Sequence, residues 1–456
     1  MAKSYEIAVI GGGPGGYMAA LRAARLGKKV MLVEKEYLGG TCLNRGCIPS
    51  KTWLKNAEIL ESMERAKEWG IETPEISVSF GKMKRRKDEV VTRLRNGVSL
   101  LLKKGKIDVY EAEGIVEDEH TVKAVSEKGE ERIRAEKIIV ATGSSPALPP
   151  IEGLASVPCY TSDTIFDIES IPASLIIIGG GVIGVEMATV FAALKTKVTI
   201  IEAAERIIPA EDAEAAETLA KALKRKGVKI ITKATVKRLT KEGETVVAEC
   251  ADGQGNPLAV TGDAVLISVG RKPNLSAVRT IGLEMNGPFI KVNERMETSV
   301  PNIYAVGDVI GGYQLAHAAY MEGIVAASNA AGLDKRMDDK VVPRCIFTLP
   351  EVAGVGLTEE AAAKAGLRVK TAKFDLAGNG KALISGDTGG FVKIVYEEKF
   401  GEILGVTMVG PHVTEMISEA SSFISLEGTV EEMAGMIHPH PTISEAFFDA
   451  AWKIFE

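Results

Sequence analysis

Cysteine is scarce: a chain of 456 residues holds five, an odd number that leaves at least one unpaired and cannot build a disulfide scaffold. That usage suits a reducing compartment, and a cytoplasmic location is expected. Net positive charge is also missing. The 55 Lys and Arg against 61 Asp and Glu give −6, so no overall basic field favours nucleic acid or an anionic membrane. The one basic run, KMKRRK at 82–87, is followed at once by Asp88 and Glu89 and reads as a solvated helix face. Long apolar runs are absent too. Leu175 to Leu194 comes nearest, but Gly179, Gly180, Gly181, Gly184 and Glu186 interrupt it, and the letters read better as strand, turn and helix. No leader is expected, because Tyr5 to Ile10 already reads as a first strand.

Glycine, by contrast, is abundant: 47 residues, about one in ten where about 7% is usual. Apolar residues at 46% and charged residues at 25% are ordinary for a folded enzyme, and the length suggests roughly three domains of about 150 residues. Much of the glycine falls in an internal repeat. IAVIGGGPGGYMAALRAARLGKKVMLVEKE begins at Ile7, and LIIIGGGVIGVEMATVFAALKTKVTIIEAA begins at Leu175. Each copy has an apolar strand, a GxGxxG turn, an alanine-rich helix and a second apolar run that ends in an acid, Glu34 or Glu202. Gly11 and Gly179 permit the tight turn. Gly13 and Gly181 let backbone approach a pyrophosphate, and Gly16 and Gly184 allow close packing of helix on strand. The helix N-terminus offers free N–H groups to phosphate, and the terminal acid suits a ribose diol. Two dinucleotides are expected. At the second site the Glu202 carboxylate repels a 2′-phosphate, and Ala203 and Ala204 supply no cation to welcome one. NAD is therefore expected over NADP, with Arg206 the one nearby residue that argues otherwise.

Between and after these units, residues 51–106 read as two charged helices joined by a loop at 70–77. Short strands lead to ATG at 141–143, and LISVGRKPN at 266–274 closes the second unit in a similar way. From about Val341 strands and helices continue without a nucleotide motif.

GGTCLNRGCIPSK, at 39–51, sets Cys42 and Cys47 just beyond the first ribose acid. No cluster of Cys or His follows to complete a zinc site, and a structural disulfide is disfavoured in a reducing compartment. A redox-active dithiol fits best, and no metal is expected. Cys159, Cys250 and Cys345 are dispersed and are expected to be structural. His120 and His412 lack sequence partners and are expected to be surface or satisfied residues. HPHPTISE, at 438–445, offers a histidine and an acid suited to moving the proton of a thiol, whose ordinary pKa near 8.5 leaves it mostly protonated at neutral pH.

GGTCLNRGCIPSK, the two fingerprints, ATG, VGD at 306–308 and HPHPTISE occur in order along essentially the whole chain. Together they resemble the flavoprotein disulfide reductases, and among them the dihydrolipoamide dehydrogenase group. The resemblance implies an α/β fold with two Rossmann-like dinucleotide-binding domains plus an α+β C-terminal dimerisation domain. It divides the chain into residues 1–145 for FAD, 146–270 for NAD, 271–340 as a central domain completing the FAD site, and 341–456 for dimerisation. It implies Cys42 as the thiol exchanging with substrate, Cys47 as the thiol facing the flavin, and Lys51 beside the flavin ring. Glu186 would lie near the nicotinamide and pair with Lys51. FAD contacts would come from Gly11, Gly13, Gly16, Glu34, Lys51, Gly114, Thr142, Gly143, Asp308, Leu315, Ala316 and His317. NAD contacts would come from Gly179, Gly181, Gly184, Glu186, Glu202, Val236 and Gly270. His440 would be the base, oriented by Glu445 and reaching the cysteine pair of the other subunit of a homodimer.

The expected activity is oxidation of protein-bound dihydrolipoamide with reduction of NAD. The lipoyl group would arrive on another protein, a component of a 2-oxoacid dehydrogenase complex or of the glycine cleavage system. Related activities each conflict with a residue. Glutathione reductases carry a lysine where Ser50 stands, mercuric reductases need a cysteine pair beyond Cys345, and soluble transhydrogenases lack the active-site cysteines. A docking subunit without catalysis is the reading from another class. Arg45 departs from the small or apolar residue common at its place and would lower a thiol pKa if its charge pointed at the pair.

Overall fold

The computed structural model describes residues 3–456. Its first unit begins with β1 (Ser4–Ile10), α1 (Pro14–Arg25) and β2 (Val30–Glu34). Ile7 to Ile10 and Val30 to Val33 are all buried, as expected for parallel strands covered on both faces. Next come α2 (Gly40–Arg45), α3 (Cys47–Arg65), α4 (Phe80–Lys104), β3 (Asp108–Glu111) and the antiparallel meander β4 (Glu113–Asp118), β5 (Thr121–Ser126) and β6 (Gly129–Val140). The sheet order is β3-β2-β1-β6-β5-β4, and a strand from far along the chain, Ile303–Ala305, pairs in parallel with β6. The first sheet is therefore completed by residues that follow the second nucleotide motif.

β7 (Ser144–Pro146) leaves this sheet and pairs with Arg271–Pro273, so the two crossings between units run side by side. Between them, β8 (Cys159–Thr161), β9 (Ser174–Ile178), α5 (Val182–Ala193), β10 (Lys197–Ile201), α6 (Ala213–Arg225) and β11 (Lys229–Ile231) build a second parallel sheet. Its order is β11-β10-β9-β15-β8, with β15 at Ala264–Ile267. The strands numbered β12 (Thr235–Glu242), β13 (Thr245–Ala251) and β14 (Pro257–Gly262) form a separate antiparallel sheet over it.

The sequence repeat is a repeat of conformation. Gly13 and Gly181 precede their helices at φ −70°, ψ −175° and φ −69°, ψ −174°. Gly11 and Gly179 adopt φ +102° and +104°, where a Cβ would also lie 2.2 Å from Ala141 O and 2.4 Å from Ser268 O. Pro14 opens α1, where a missing N–H costs nothing. Helix Ala316–Ala330 lies against α1, its Gly323 so close that a Cβ would stand 2.3 Å from Gly15 O.

The third unit is an antiparallel five-stranded sheet. In spatial order its strands are Arg344–Ile346, Glu351–Gly356, Ile403–Gly410, Phe391–Glu397 and Val369–Asp375, with helices Val413–Ser425, Val430–Gly435 and Glu445–Trp452 near the end of the chain. No helix among the described residues is long and apolar enough to cross a membrane.

Candidate active site between two nucleotide cradles

One cavity of about 1330 Å³ runs from the first glycine cradle, past Cys42 and Cys47, to the second. The acids that end the two repeat units, Glu34 and Glu202, occupy equivalent places in it. Glu34 Oε2 accepts the Gly12 N–H at 2.7 Å and Oε1 accepts that of Glu36 at 2.8 Å. Glu202 Oε2 accepts the Gly180 N–H at 2.6 Å and Oε1 that of Ala204 at 2.7 Å. Each carboxylate oxygen keeps a further lone pair for a hydroxyl donor. Beyond the second acid, Arg206 does not face the cavity. Its guanidinium forks onto Glu360, at 3.1 and 2.7 Å, and holds that carboxyl below the usual range. The cation that argued for NADP is thus engaged elsewhere.

The cysteines form a disulfide with a Cα–Cα distance of 4.7 Å. Cys42 lies in α2 and Cys47 is the first residue of α3, so Gly46 bends the chain between two short helical entries. Lys51, one turn along α3 from Cys47, projects from the same helix face. Its ammonium is 2.9 Å from both carboxylate oxygens of Glu186, whose side chain is only 4% exposed, and stands 4.7 Å from the ring centre of Phe347. The Phe347 N–H also donates to Glu186 Oε1 at 3.1 Å. All three units therefore meet at this point. Arg45 turns to Glu36 at 2.6 Å, which fixes its charge on a carboxylate beyond the first ribose acid.

Asp308 follows Gly307 at the other side of the cavity. It accepts from Ser144 Oγ at 2.5 Å, and Arg271 reaches Ser144 Oγ at 2.7 Å and Asp308 at 3.8 Å. Buried Glu322 accepts the Gly307 N–H at 2.6 Å, and burial raises the pKa of this carboxyl. Asn274 ties the ATG turn to the second unit through Thr142, donating to Thr142 O at 3.0 Å and accepting from Thr142 Oγ1, on its own carbonyl, at 2.7 Å. Sequence reasoning named neither Arg271 nor Asn274, although both lie in the VGRKPN segment it singled out. Glu322, Arg344 and Phe347 were also missed.

Of the residues expected at the nucleotide sites, Gly11, Gly13, Glu34, Lys51, Thr142, Gly143, Asp308, Leu315 and Ala316 line the cavity, as do Gly179, Gly181, Glu186, Glu202, Val236 and Gly270. Gly16 and Gly184 stand just behind, where a Cβ would lie 1.9 Å from Gly11 O and 2.1 Å from Gly179 O. Gly114 and His317 do not line it. A Cβ at Gly114 would press on Ile10 at 2.8 Å, and the exposed His317 ring bonds Pro343 O.

His440 and Glu445 are held together away from the cavity. His440 Nδ1 is 2.8 Å from Glu445 Oε1, and its side chain is 78% exposed. The Thr442 N–H, first, and His440, second among the favourable contacts, keep the Glu445 carboxyl below its ordinary range. The neighbouring His438 is different: its buried ring is satisfied by Glu419 Oε1 at 2.8 Å and Met436 O at 3.2 Å. His120 is likewise bonded to Ala135 O, while His412 is exposed at the start of a helix. Burial pushes the Cys159 and Cys345 thiols up to about 11 and raises Cys250 as well.

Paired dinucleotide cradles about a disulfide define a class of enzyme, and sequence comparison agrees: residues 5–323 match the pyridine nucleotide-disulphide oxidoreductases, and residues 342–451 match the dimerisation domain of that family. Dihydrolipoyl dehydrogenases are similar over nearly the whole length. One from Bacillus subtilis (strain 168) is 44% identical, over 99% of this chain and 98% of the relative, and one from Geobacillus stearothermophilus is 40% identical, over 98% and 95%. Among solved structures, the HOCl-induced flavoprotein disulfide reductase RclA from Escherichia coli, in a Cu(II) complex, superposes with a TM-score of 0.89 at 31% identity and covers both chains fully. The chain belongs to the pyridine nucleotide-disulphide oxidoreductase family and, within it, to the dihydrolipoyl dehydrogenases.

FAD and NAD are its cofactors. The cradles fit them: a Cβ at Gly181 would meet nothing within 4 Å, and one at Gly13 only Gly40 at 3.9 Å, so at both points bare backbone faces open cavity where a pyrophosphate can approach.

Proposed function

We propose that the protein oxidises dihydrolipoamide carried on another protein and reduces NAD, working in a reducing compartment as a homodimer. The observation that carries this reading is the Cys42–Cys47 disulfide set between the two cradles, in a chain aligned end to end with dihydrolipoyl dehydrogenases. In the first half-reaction a substrate thiolate attacks Cys42 sulfur. The Cys42–Cys47 bond breaks, and Cys47 leaves as a thiolate. Its position at the start of the 19-residue α3 favours that charge, because the helix N-terminus carries the positive end of the dipole. The second substrate thiolate then attacks the mixed disulfide, closing lipoamide and releasing Cys42.

His440 of one subunit takes up the substrate proton at the partner subunit's disulfide, with Glu445 holding the ring by Nδ1 and leaving Nε2 as the acceptor. FAD held in the first cradle would supply the electron transfer that links the reduced dithiol to NAD. Lys51 and Glu186 keep a fixed charge pair between the two cradles, Glu34 and Asp308 would hold the FAD sugar groups, and Glu202 would hold the NAD ribose. A lipoyl-bearing component of a 2-oxoacid dehydrogenase complex or of the glycine cleavage system supplies the substrate.

Mixed dimers test the division of labour. Cys42→Ser and His440→Ala homodimers are each expected to lose activity. A heterodimer of the two has one doubly defective site and one intact site if His440 serves the partner, and about half the wild-type rate should return. No recovery would place both groups in one subunit and overturn the assignment.

A further inference from the structure

We propose that the dimerisation domain grips the wall of the NAD site, with Glu360, Arg344 and Lys393 acting as positioning residues for NAD. This deepens the function proposed above but rests only on the second cradle being the NAD site, not on the identity of the thiol substrate.

The wall is the loop 202–212, between β10 and α6. It begins at the ribose acid Glu202, and Ile208 through Glu211 line the cavity. On its inner side buried Ile207 and Ile208 anchor the middle of the loop in the core, and the Ile208 N–H donates to Gly180 O at 2.8 Å, although Ile208 sits at φ +40°, outside the usual range for a branched residue. On its outer side three ion pairs reach it from residues 342–451, besides the Lys233–Glu205 pair made within its own unit. Glu360 takes both terminal nitrogens of Arg206, whose Nη2 also reaches Glu211 O at 3.4 Å. Arg344 Nε lies 3.1 Å from both oxygens of Glu211. Lys393 Nζ lies 2.7 Å from Asp212, and the two side chains are only 8% and 5% exposed.

Asp212 does two things at once. It caps α6 by accepting the N–H groups of Glu214 and Ala215, and it is the counter-ion of a buried lysine. Without Lys393 the carboxylate would be buried beside only helix N–H groups, so the loop must shift or admit water. Because cavity-lining Glu211 immediately precedes Asp212, that shift changes the shape of the NAD site and leaves the disulfide, on a different unit, where it is. Sequence separations of 133, 154 and 181 residues between the partners explain why no motif displays the arrangement.

The test compares Lys393→Met and Glu360→Gln with Lys226→Met, in FAD-loaded dimers. Lys226 is also bonded across units, to Glu61 Oε2 and Leu349 O, but from the far end of α6. NAD dissociation constants are read by calorimetry, alongside KM for NAD and for dihydrolipoamide. Lys393→Met is expected to weaken NAD about tenfold and Glu360→Gln about threefold. KM for dihydrolipoamide should stay within twofold, and Lys226→Met should leave NAD affinity unchanged. If Lys393→Met does not fold, Glu360→Gln alone decides. NAD affinity within 1.5-fold of wild type in the folded variants, or an equal loss in Lys226→Met, would overturn the proposal. Failure of the protein to use dihydrolipoamide would sink the proposed substrate while leaving the calorimetric comparison intact.

Discussion

Glu202→Gln is a direct probe of how the second cradle selects its nucleotide. The carboxylate lines the cavity with one oxygen on the Gly180 N–H and the other on that of Ala204, so its orientation is fixed by backbone. A 2′-phosphate brought within about 4 Å meets a repulsion of about 4 kcal/mol per charge pair at an effective dielectric constant of about 20, and about 1 kcal/mol in bulk water. For a half-buried group between these limits, about 2–3 kcal/mol is reasonable, which is roughly 30- to 150-fold at 1.4 kcal/mol per factor of ten. Arg206 does not offset this repulsion, being engaged by Glu360. The assay is NAD(P)H-driven reduction of lipoamide, read as the ratio of kcat/KM for NADH to that for NADPH. Wild type should favour NADH strongly, and Glu202→Gln should narrow the ratio by the factor above, because glutamine keeps an acceptor oxygen but loses the charge. The wild-type ratio should also shrink between 0.1 and 1 M salt, as the screening length falls from about 10 to about 3 Å. Equal efficiency with both nucleotides in wild type, or a ratio unmoved in Glu202→Gln, would exclude charge repulsion by Glu202 as the source of selectivity.

Two further outcomes follow from the same contacts. Glu445 has a folded-state pKa below its ordinary value near 4.3, so its contribution to the order of the 438–445 turn is complete above that value and is lost as pH falls through the lower folded value. Hydrogen exchange of the turn between pH 6 and 3 should show this loss, and Glu445→Gln should flatten the profile. Gly181→Ala, whose Cβ would meet no protein atom within 4 Å, should raise KM for NAD with little change in thermal stability, whereas Gly16→Ala, set against Gly11 O at 1.9 Å, should yield protein that does not retain FAD on gel filtration.

The parts of this molecule that are local in sequence were legible there. A GxGxxG turn needs backbone freedom at fixed offsets, so both cradles, their acids and the cysteine segment could be read directly, and the Lys51–Glu186 pair followed from family resemblance. Contacts that join distant segments left no such trace. Nothing periodic links Arg271 to Asp308 or Phe347 to Glu186, because each pair is created by the packing of one unit on another. The same limit explains Gly114 and His317. His317 follows cavity-lining Leu315 and Ala316, but its ring turns out to Pro343 O, and Gly114, on β4, packs on Ile10. His440 was singled out from its motif, but the His–Glu pair lies exposed and outside the cavity, so the single chain does not display the second-subunit role proposed for it.

The most direct measurement mixes the FAD-loaded protein, without oxygen, with NAD and a dihydrolipoyl domain, and follows NADH by absorbance beside a parallel reaction of glutathione disulfide with NADPH. Rapid NADH formation is expected in the first, abolished by Cys42→Ser or Cys47→Ser, with negligible turnover in the second. Turnover of glutathione disulfide without NADH formation from dihydrolipoyl domain, or NADH formation that survives loss of either cysteine, would contradict a Cys42–Cys47 disulfide serving lipoamide.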